Sequence, residues 1–261
     1  MAQTALITGA SSGIGKELAQ IHAERGGDLI LVARREDKLL ELQSQLESEH
    51  STRVRLFPMD LTEPSAPGTL FQALQTESIG VDFLINNAGF GGLGLFHERP
   101  WAQDLAMIQL NIVALTELCR LFLPVFLERG EGRILNVSST ASLPPGGPLQ
   151  AVYFATKHYV TALSYGLAGE LSGSPVTVTN LQPGATATEF ASAAHMEDSA
   201  LFSQAASARS VAQDGYQGLL AGKLAVVTGL TTSQKFLMTA MPFLPKKFVL
   251  QQIKKMQELP S

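Results

Sequence analysis

The feature of the sequence that most constrains the fold is a glycine-rich break after its first apolar run. Residues 4–8 resemble a strand, and Gly9, Gly13 and Gly15 follow before apolar residues recur at helical spacing. Backbone without side chains lets an anion approach closely, and the N–H groups at a helix N-terminus carry partial positive charge. We interpret this stretch as a phosphate-binding turn, to which Ser11 and Ser12 add hydroxyl donors. A tight turn without a ligand is the alternative.

Strand-like and helix-like segments alternate along the rest of the chain. The strand-like runs are apolar on successive residues, which is typical of parallel strands covered on both faces. The pattern predicts a Rossmann-type α/β fold, with seven mainly parallel strands in a doubly wound sheet and helices on both faces. We expect one domain over residues 1–261. The predicted strands are residues 4–8, 28–33, 53–57, 81–85, 133–137, 176–181 and 223–228, and the predicted helices are 14–25, 36–50, a segment after 64, 101–129 and 150–171.

Composition excludes several classes of function. The net charge of -4 gives no electrostatic case for a nucleic-acid partner. The single cysteine, Cys119, excludes an internal disulfide, and the five histidines lack zinc-ligand spacing, so we predict no metal. The first strand begins close to Met1, and no apolar run approaches the roughly 18 residues of a membrane span. A cytoplasmic protein is therefore expected.

Ligands of doubly wound sheets lie beyond the carboxyl ends of the strands, so the residues after each strand were considered as binding residues. Arg34 and Arg35 follow the second strand, at the place where an acid would bind a ribose 2′-hydroxyl. A guanidinium there favours a 2′-phosphate, so Arg34 predicts NADP in preference to NAD. The alternative is that both arginines are solvated residues ahead of a charged helix.

Two further strand ends allow two interpretations each. Asp60 could accept a hydrogen bond from an adenine amino group, with Leu61 against the ring, or Asp60 and Thr62 could cap the following helix. Residues 86–89 could be a plain turn, or a surface of small residues against which a cofactor lies flat.

Tyr153 and Lys157 are four residues apart in a predicted helix and so share one face. A phenol with a pKa of about 10 is a poor acid–base group at neutral pH, and a neighbouring ammonium lowers that pKa. The pair is a candidate proton-transfer site, although such a spacing also arises by chance.

Taken together, the motifs resemble those of the short-chain dehydrogenase/reductase family in order and approximate spacing, over residues 3 to about 230. The motifs are Thr8 to Gly15, Asn86 to Gly89, Asn111, Ser139, Tyr153 with Lys157, and Pro183-Gly184. The resemblance implies hydride transfer between NADP(H) and a carbonyl or alcohol.

In this family the four polar side chains have distinct roles, and the resemblance transfers them to this chain. Tyr153 would exchange a proton with the substrate oxygen, and Ser139 would polarise that oxygen. Lys157 would bind the nicotinamide ribose and lower the tyrosine pKa, and Asn111 would hold a water in a proton relay. One departure is that fourteen positions separate Ser139 from Tyr153 where the family usually has thirteen, so Ser138 is a minor candidate for the role of Ser139.

The resemblance also implies the cofactor contacts and a homodimer or homotetramer. The implied cofactor-binding residues, with Tyr153, Lys157 and the Arg34 discussed above, are Gly9, Ser11, Ser12, Ile14, Gly15, Asp60, Leu61, Asn87, Ala88, Gly89, Pro183, Gly184, Thr186 and Thr188.

Three apolar regions are candidates for the substrate site. The loop at residues 90–96 and Leu143 could contact a lipophilic substrate or could be packing residues. Residues 188–210, with Met196, Leu201 and Phe202, could form a lid. The tail at residues 231–261 could form a subunit contact or cover the substrate site; contact with a membrane surface is disfavoured.

We expect an NADP-dependent carbonyl reductase or alcohol dehydrogenase that acts on a lipophilic ketone, a 3-oxoacyl compound or a steroid-like compound. One rival is a non-catalytic protein that binds and senses NADP(H) on the same fold; the set of four polar side chains argues against it. A second rival is an epimerase or dehydratase of the longer related branch, which has a different glycine spacing and a long carboxyl-terminal substrate domain.

Overall fold

The computed structural model describes residues 2–190, 205–231, 234, 236, 238 and 241–257. Its centre is a seven-stranded sheet in which every neighbouring pair of strands is parallel. The strand order is β3-β2-β1-β4-β5-β6-β9, and β7 and β8 form a separate two-stranded parallel pair. The strands are β1 Thr4–Thr8, β2 Asp28–Ala33, β3 Val54–Pro58, β4 Phe83–Asn86, β5 Arg133–Val137, β6 Thr177–Pro183, β7 Thr186–Ala187, β8 Ala206–Ser207 and β9 Ala225–Thr228.

Helices connect the strands and cover the sheet. A π-helical turn, Gln109–Ala114, joins α4 to α5 into one continuous helical stretch, and short 3-10 turns occur at Thr140–Ser142 and Met241–Phe243. The α-helices are α1 Gly13–Ala23, α2 Glu36–Glu49, α3 Ala66–Thr76, α4 Trp101–Ile108, α5 Leu115–Arg129, α6 Ala151–Glu170, α7 Ala208–Leu220 and α8 Lys246–Gln257.

The sheet has a buried apolar layer on each face, as a doubly wound fold requires. Alternate side chains of β1 separate onto the two layers: Ile7 belongs to the layer with Leu18 of α1, and Leu6 to the layer with Phe122 of α5. This double burial is the physical reason why the strands read as continuous apolar runs. The predicted fold is therefore confirmed.

Strand β1 lies between β2 and β4, so the direction of winding reverses there. The connections leave β1 and β4 toward opposite sides, and a crevice opens at their carboxyl ends. The glycine turn after β1 and residues 86–89 after β4 both lie at this point, which is where a doubly wound sheet binds its ligand.

The structure adds two helices that the sequence analysis did not predict, α7 and α8. Helix α7 directly precedes β9 and packs its Val211, Tyr216 and Leu219 into the apolar layer beside α1. Helix α8 lies within the apolar tail. Of the expected lid, residues 191–204 lie outside the described residues, as do Met196, Leu201 and Phe202.

The expectation that no stretch could span a membrane is wrong by length and composition. The helical stretch Trp101–Arg129 has a mean hydropathy of 1.8 over its most apolar window, and 39% of that window is buried. Its inward face carries Leu118, Phe122 and Phe126 into the core, while Asp104 and Asn111 are buried polar residues of the same stretch. A core-covering helix needs a wide apolar face, and that need produces the same composition as a short membrane span.

Candidate active site

A cavity of about 520 Å³ lies beyond the carboxyl ends of the central strands. It brings together the strand ends that the sequence analysis singled out, with two exceptions, Gly15 and Asn111. The predicted residues that line it are Gly9, Ser11, Ser12, Ile14, Arg34, Asp60, Leu61, Asn87, Ala88, Gly89, Ser139, Tyr153, Lys157, Pro183, Gly184, Thr186 and Thr188.

The glycine turn is held close to the start of α1 and to the end of β4. Gly9 has φ +67°, a left-handed conformation that glycine adopts without strain, and a Cβ atom there would lie 2.9 Å from Ala88 Cα. Gly15 does not line the cavity; a Cβ there would lie 2.3 Å from the Gly9 carbonyl oxygen. Gly15 therefore lets α1 pack against the turn, and this contact lies outside the cavity wall.

Thr8 and Asn87 tie the ends of β1 and β4 together. The Thr8 hydroxyl accepts hydrogen bonds from the main-chain N–H groups of Asn87 and Ala88, both at 3.0 Å. The Asn87 side-chain amide donates to the carbonyl oxygens of Thr8 at 2.9 Å and Gly9 at 3.2 Å. Asn87 thus holds the turn in shape. Thr8 was not among the predicted site residues, although a hydroxyl at the last strand position before the glycine turn was visible in the sequence.

The two arginines after β2 differ in their surroundings. Arg34 is largely exposed and lies 3.9 Å from the carboxylate of Asp60. Arg35 reaches over the glycine turn: its Nη2 donates to Ser11 Oγ at 3.1 Å and lies 2.8 Å from Glu189 Oε2. The sequence analysis placed only Arg34 among the site residues, and the structure adds Arg35 and Glu189.

Asp60 forms a turn and does not cap a helix. Its Oδ1 accepts hydrogen bonds from the main-chain N–H of Thr62 at 2.9 Å and from the Thr62 hydroxyl at 2.8 Å. Helix α3 begins only at Ala66, after Ser65. The capping interpretation of Asp60 and Thr62 is therefore wrong, because the chain needs four more residues to enter the helix. Asp60 Oδ2 is directed toward Arg34.

The loop after β5 separates the two candidate serines. The Ser138 hydroxyl donates to the Lys157 carbonyl oxygen at 2.8 Å and contacts Thr161 Oγ1 at 2.8 Å, so it is engaged by α6 although Ser138 also lines the cavity. The Ser139 hydroxyl accepts from the N–H of Ala141 at 3.1 Å, lies 3.4 Å from the Pro183 carbonyl oxygen, and is close enough to Tyr153 to lower the pKa of the phenol. This arrangement gives Ser139 the position beside the phenol despite the extra residue in the following loop.

Tyr153 and Lys157 are both buried on the cavity side of α6. The Lys157 Nζ donates to the Val137 carbonyl oxygen at 2.9 Å and lies 5.8 Å from the centre of the Tyr153 ring. Burial lowers the pKa of Lys157 to about 8. Burial raises the pKa of Tyr153 to about 12, against the opposing effect of the hydrogen bond with Ser139.

The expectation that Lys157 brings the pKa of Tyr153 below its usual value is thus wrong for the protein alone. Both groups are desolvated, and desolvation disfavours the charged tyrosinate. The Lys157 ammonium is held by the Val137 carbonyl oxygen and does not offset this effect. Tyr153 is consequently a protonated phenol at neutral pH.

Asn111 lies in the π-helical turn and does not line the cavity. Its Oδ1 accepts from the Phe90 N–H at 3.2 Å, and its Nδ2 donates to the Phe90 carbonyl oxygen at 3.0 Å and to Thr156 Oγ1 at 3.1 Å. A Cβ on Gly89 would lie 3.0 Å from Asn111 Oδ1. The Asn111 side chain therefore positions the loop after Gly89, and a π-helical turn at this point is typical of functional sites.

The segment after β6 crosses the mouth of the cavity. The Thr186 hydroxyl donates to the Gly184 carbonyl oxygen at 2.9 Å. The Thr188 hydroxyl accepts from the Phe190 N–H at 3.2 Å, and the Phe190 ring lies 5.4 Å from the Tyr153 ring, centre to centre. Since Thr188 also packs against Gly13, the segment links the glycine turn to the phenol.

Beyond Tyr153 the cavity wall is apolar. Of the predicted substrate contacts, Phe90 lines the cavity, whereas Phe96 is exposed and Leu143 is absent from the wall. Phe96 and Leu143 therefore give no support to the substrate-contact interpretation of these residues. The remaining apolar wall comes from Leu110, Pro144, Phe154, Phe190, Met238, Met241, Ile253 and Met256.

Helix α8 contributes to this wall, so part of the apolar tail covers the cavity. Gln257, at its end, is buried, and its Nε2 donates to Gln150 Oε1 at 3.3 Å. The side-chain amide oxygen of Gln257, Oε1, has no hydrogen-bond partner within the part of the chain that the structure describes. Sequence reasoning missed both glutamines because they are 107 positions apart.

The fold and the position of the cavity define a doubly wound α/β protein with its site at the carboxyl ends of the strands, and comparison with known proteins identifies its family. The sequence model of the short chain dehydrogenase family matches residues 3–198. The uncharacterized oxidoreductase YvaG of Bacillus subtilis (strain 168) is 35% identical over 189 residues, which cover 72% of this chain and 69% of YvaG.

Two solved structures are similar over nearly the whole chain. A short-chain dehydrogenase from Sphingobium yanoikuyae in complex with NADPH is 31% identical, with a TM-score of 0.82 and 98% of each chain covered. A bulky-bulky ketone specific alcohol dehydrogenase from Comamonas testosteroni is 27% identical, with a TM-score of 0.79, covering 97% of this chain and 95% of that chain.

The chain belongs to the short-chain dehydrogenase family, which confirms the resemblance seen in its motifs. Members of this family are oxidoreductases that use NAD(P) and act on small molecules.

Proposed function

We propose that the protein is an NADP(H)-dependent oxidoreductase that interconverts a carbonyl and an alcohol on a lipophilic small molecule. The observation that carries the proposal is that one cavity joins the glycine turn, the Ser139–Tyr153–Lys157 group and an apolar wall. The glycine turn fits a dinucleotide, and the Ser139–Tyr153–Lys157 group fits proton transfer. The apolar wall fits a lipophilic substrate.

The residues around the glycine turn fit a dinucleotide phosphate. Close packing of Gly9 against Ala88 keeps side chains off the surface, and Ser11, Ser12 and Arg35 present hydroxyl and guanidinium donors above it. Asn87, Ala88, Gly89, Pro183, Gly184, Thr186 and Thr188 form the rest of the proposed cofactor surface.

In the proposed reaction NADP(H), when bound, supplies or accepts the hydride at the carbonyl carbon. Tyr153 gives its proton to the substrate oxygen during reduction and takes it back during oxidation. Ser139 donates a hydrogen bond to the same oxygen. The raised pKa keeps Tyr153 protonated, so the proton that reduction requires is present at neutral pH. Lys157 would hold the nicotinamide ribose, and Asn111, which positions the main chain of Phe90, would hold a water in a proton relay.

The preference for NADP over NAD is supported by the two arginines and the serine after β1. Arg34 and Arg35 both line the end of the cavity at which β2 ends, and Arg35 donates to Ser11 there. Two guanidinium groups on one face favour a phosphate over a hydroxyl. The NADPH bound to the similar Sphingobium yanoikuyae enzyme is consistent with this assignment.

The substrate is proposed to be a lipophilic ketone, a 3-oxoacyl compound or a steroid-like compound. Support comes from the aromatic and methionine side chains of the cavity wall, since flexible methionines adapt to bulky apolar groups. The similar enzyme from Comamonas testosteroni is described as specific for bulky-bulky ketones.

A homodimer or homotetramer is also proposed. Large apolar side chains are exposed on α4, α5, the π-helical turn between them, and α6: Leu105, Val113, Leu127, Tyr159 and Tyr165. Burying them against a second copy would remove apolar surface from water. Sedimentation velocity should show a dimer or tetramer of the 27.9 kDa chain; a monomer at micromolar concentration would contradict this.

Tyr153→Phe tests the proposed reaction. Removing the hydroxyl removes the proton donor, so turnover of NADPH with a panel of aldehydes, ketones and 3-oxoacyl esters should fall by roughly 10²–10⁴-fold. NADPH affinity should stay within about twofold, because the cofactor surface is retained.

Tyr159→Phe is the matched control, since Tyr159 lies on the same helix and its hydroxyl contacts Thr116 outside the cavity. It should retain full turnover. Undiminished turnover in Tyr153→Phe would refute Tyr153 as the acid, and wild-type protein that binds NADPH but reduces no carbonyl would favour the sensing role.

A further inference from the structure

Residues Thr188–Phe190 form a segment that contacts both ends of the cavity. The Thr188 side chain packs against Gly13, where an added Cβ would lie 2.8 Å from the Thr188 methyl group. The Phe190 ring lies against Tyr153. Glu189, between them, is directed toward the glycine turn and Arg35.

The Glu189 carboxylate contacts groups that could also bind a phosphate. Arg35 Nη2 lies 2.8 Å from Glu189 Oε2 and also donates to Ser11 Oγ at 3.1 Å. The nearby Ser12 hydroxyl is a smaller cause of the lowered pKa of the same carboxylate. The hydrogen bond from Arg35 is the largest of the effects that keep the pKa of Glu189 below its usual value, so the group is ionised at neutral pH.

Arg35 and Ser11 are also the donors to which the proposed function assigns the 2′-phosphate of NADP(H). One guanidinium directed at a carboxylate cannot at the same time present its full set of donors to a phosphate, and two anions on one arginine repel each other. The ion pair is well exposed on both sides, so it is weak enough to be replaced by a dianionic phosphate. Only molecules in which the Arg35–Glu189 pair is open can bind the phosphate through Arg35. The apparent affinity for the phosphate is therefore lowered in proportion to the fraction of molecules in which the pair is open.

We propose that Glu189 is a specificity-determining residue for the cofactor: its carboxylate competes with the 2′-phosphate of NADP(H) for Arg35 and so limits the preference for NADP over NAD. The inference rests on the proposed NADP(H) site. It assigns to Glu189 no part in proton transfer.

Binding of two nucleotides tests the competition without turnover. Calorimetric titration should compare adenosine 2′,5′-diphosphate, which carries the 2′-phosphate, with adenosine 5′-diphosphate, which lacks it. In Glu189→Gln the affinity for the 2′,5′-diphosphate should rise by about three- to fivefold, as expected for release of an exposed ion pair. The affinity for the 5′-diphosphate should change by less than about twofold.

Glu36→Gln is the matched control, because Glu36 is an exposed acid adjacent to Arg35 in sequence and does not line the cavity. The same loss of charge there should leave the ratio of the two affinities unchanged. In an Arg35→Ala background, Glu189→Gln should lose its effect, since the two changes act on one interaction.

An unchanged or weakened 2′,5′-diphosphate affinity in Glu189→Gln would overturn the inference, and so would an equal gain in the Arg35→Ala background. If wild-type protein binds the 2′,5′-diphosphate no more tightly than the 5′-diphosphate, the proposed NADP preference itself is wrong.

Discussion

At the scale of residues, side chains that are adjacent in the sequence make different contacts because the backbone directs them to different places. Ser138 turns back to the Lys157 carbonyl oxygen, while Ser139 reaches the phenol of Tyr153. Arg34 lies in solvent near Asp60, while Arg35 extends over the glycine turn. In both pairs the residue types are identical, so chemistry alone cannot separate them.

The arginine pair yields a prediction about cofactor choice. Arg35→Ala should weaken NADPH binding by roughly 10–100-fold, because a charged hydrogen-bond donor to phosphate is lost, and should leave NADH binding nearly unchanged. Arg34→Ala should weaken NADPH binding in the same direction but less, since Arg34 is largely exposed and loosely paired. Fluorescence titration with both nucleotides measures the effect.

Arg55→Ala is the control for general loss of positive charge, since Arg55 pairs with Glu77 away from the cavity. Equal losses for NADPH and NADH in the Arg34 and Arg35 variants would show that neither guanidinium recognises the 2′-phosphate.

At the scale of elements, the loop from β5 to α6 positions the proposed catalytic group through a buried polar network. The Ser142 hydroxyl donates to the Ser139 carbonyl oxygen at 2.7 Å and accepts from Gln182 at 2.9 Å, and the Thr161 hydroxyl donates to Ser142 at 2.9 Å. These bonds connect the loop, α6 and β6. Because buried polar groups are costly when unpaired, the network holds the loop in one arrangement.

Two serine variants separate chemistry from positioning in this loop. Ser139→Ala should lower kcat by roughly 10²-fold or more, because one donor to the reacting oxygen is lost, with little change in unfolding free energy. Ser138→Ala should lower the unfolding free energy by about 1 kcal/mol, because the Lys157 carbonyl oxygen loses its donor, with a smaller effect on kcat. Steady-state kinetics and urea unfolding of both variants provide the comparison; a larger kcat loss in Ser138→Ala would reverse the two assignments.

At the scale of the whole molecule, the end of the sheet opposite the cavity is held by His22. Its Nδ1 lies 2.7 Å from the Tyr216 hydroxyl of α7, and its Nε2 lies 2.9 Å from the Gln3 carbonyl oxygen. The carbonyl is only an acceptor, so Nε2 carries the proton and Nδ1 accepts from Tyr216. This buried imidazole joins α1, α7 and the chain before β1, and its burial lowers its pKa below 6.5.

The lowered pKa of His22 predicts a dependence of stability on pH. A group whose pKa is lower in the folded state than in the unfolded state contributes stability above the unfolded value, here 6.5, and that stability is lost as the pH falls toward the folded value. The urea concentration at the unfolding midpoint should therefore decrease as the pH is lowered from 7.5 to 5.5. The decrease should be smaller in His22→Gln. His97→Gln, which removes an exposed histidine, should behave as wild type; an unaltered slope in His22→Gln would show that His22 does not cause the loss.

Much of the fold and part of the site could be predicted from the sequence. Strands β2 and β5 were predicted with their observed boundaries, because burial on both faces leaves continuous apolar runs with abrupt ends. Parallel strands place their carboxyl ends at one edge, so most of the proposed site residues were identifiable from strand ends alone. Helix α7 was missed because its small and polar residues, including two glycines that pack on β6 and β9, weaken the helical pattern.

The sequence by itself determined the order of elements and the edge of the sheet at which the polar residues collect, because these follow from local periodicity and chain direction. Only the tertiary structure decided which serine faces Tyr153, that Arg35 meets Glu189, and that burial raises the tyrosine pKa. Each of these depends on side-chain direction or desolvation between segments far apart in the chain. Neither quantity has a local signature, since both arise only when the elements pack.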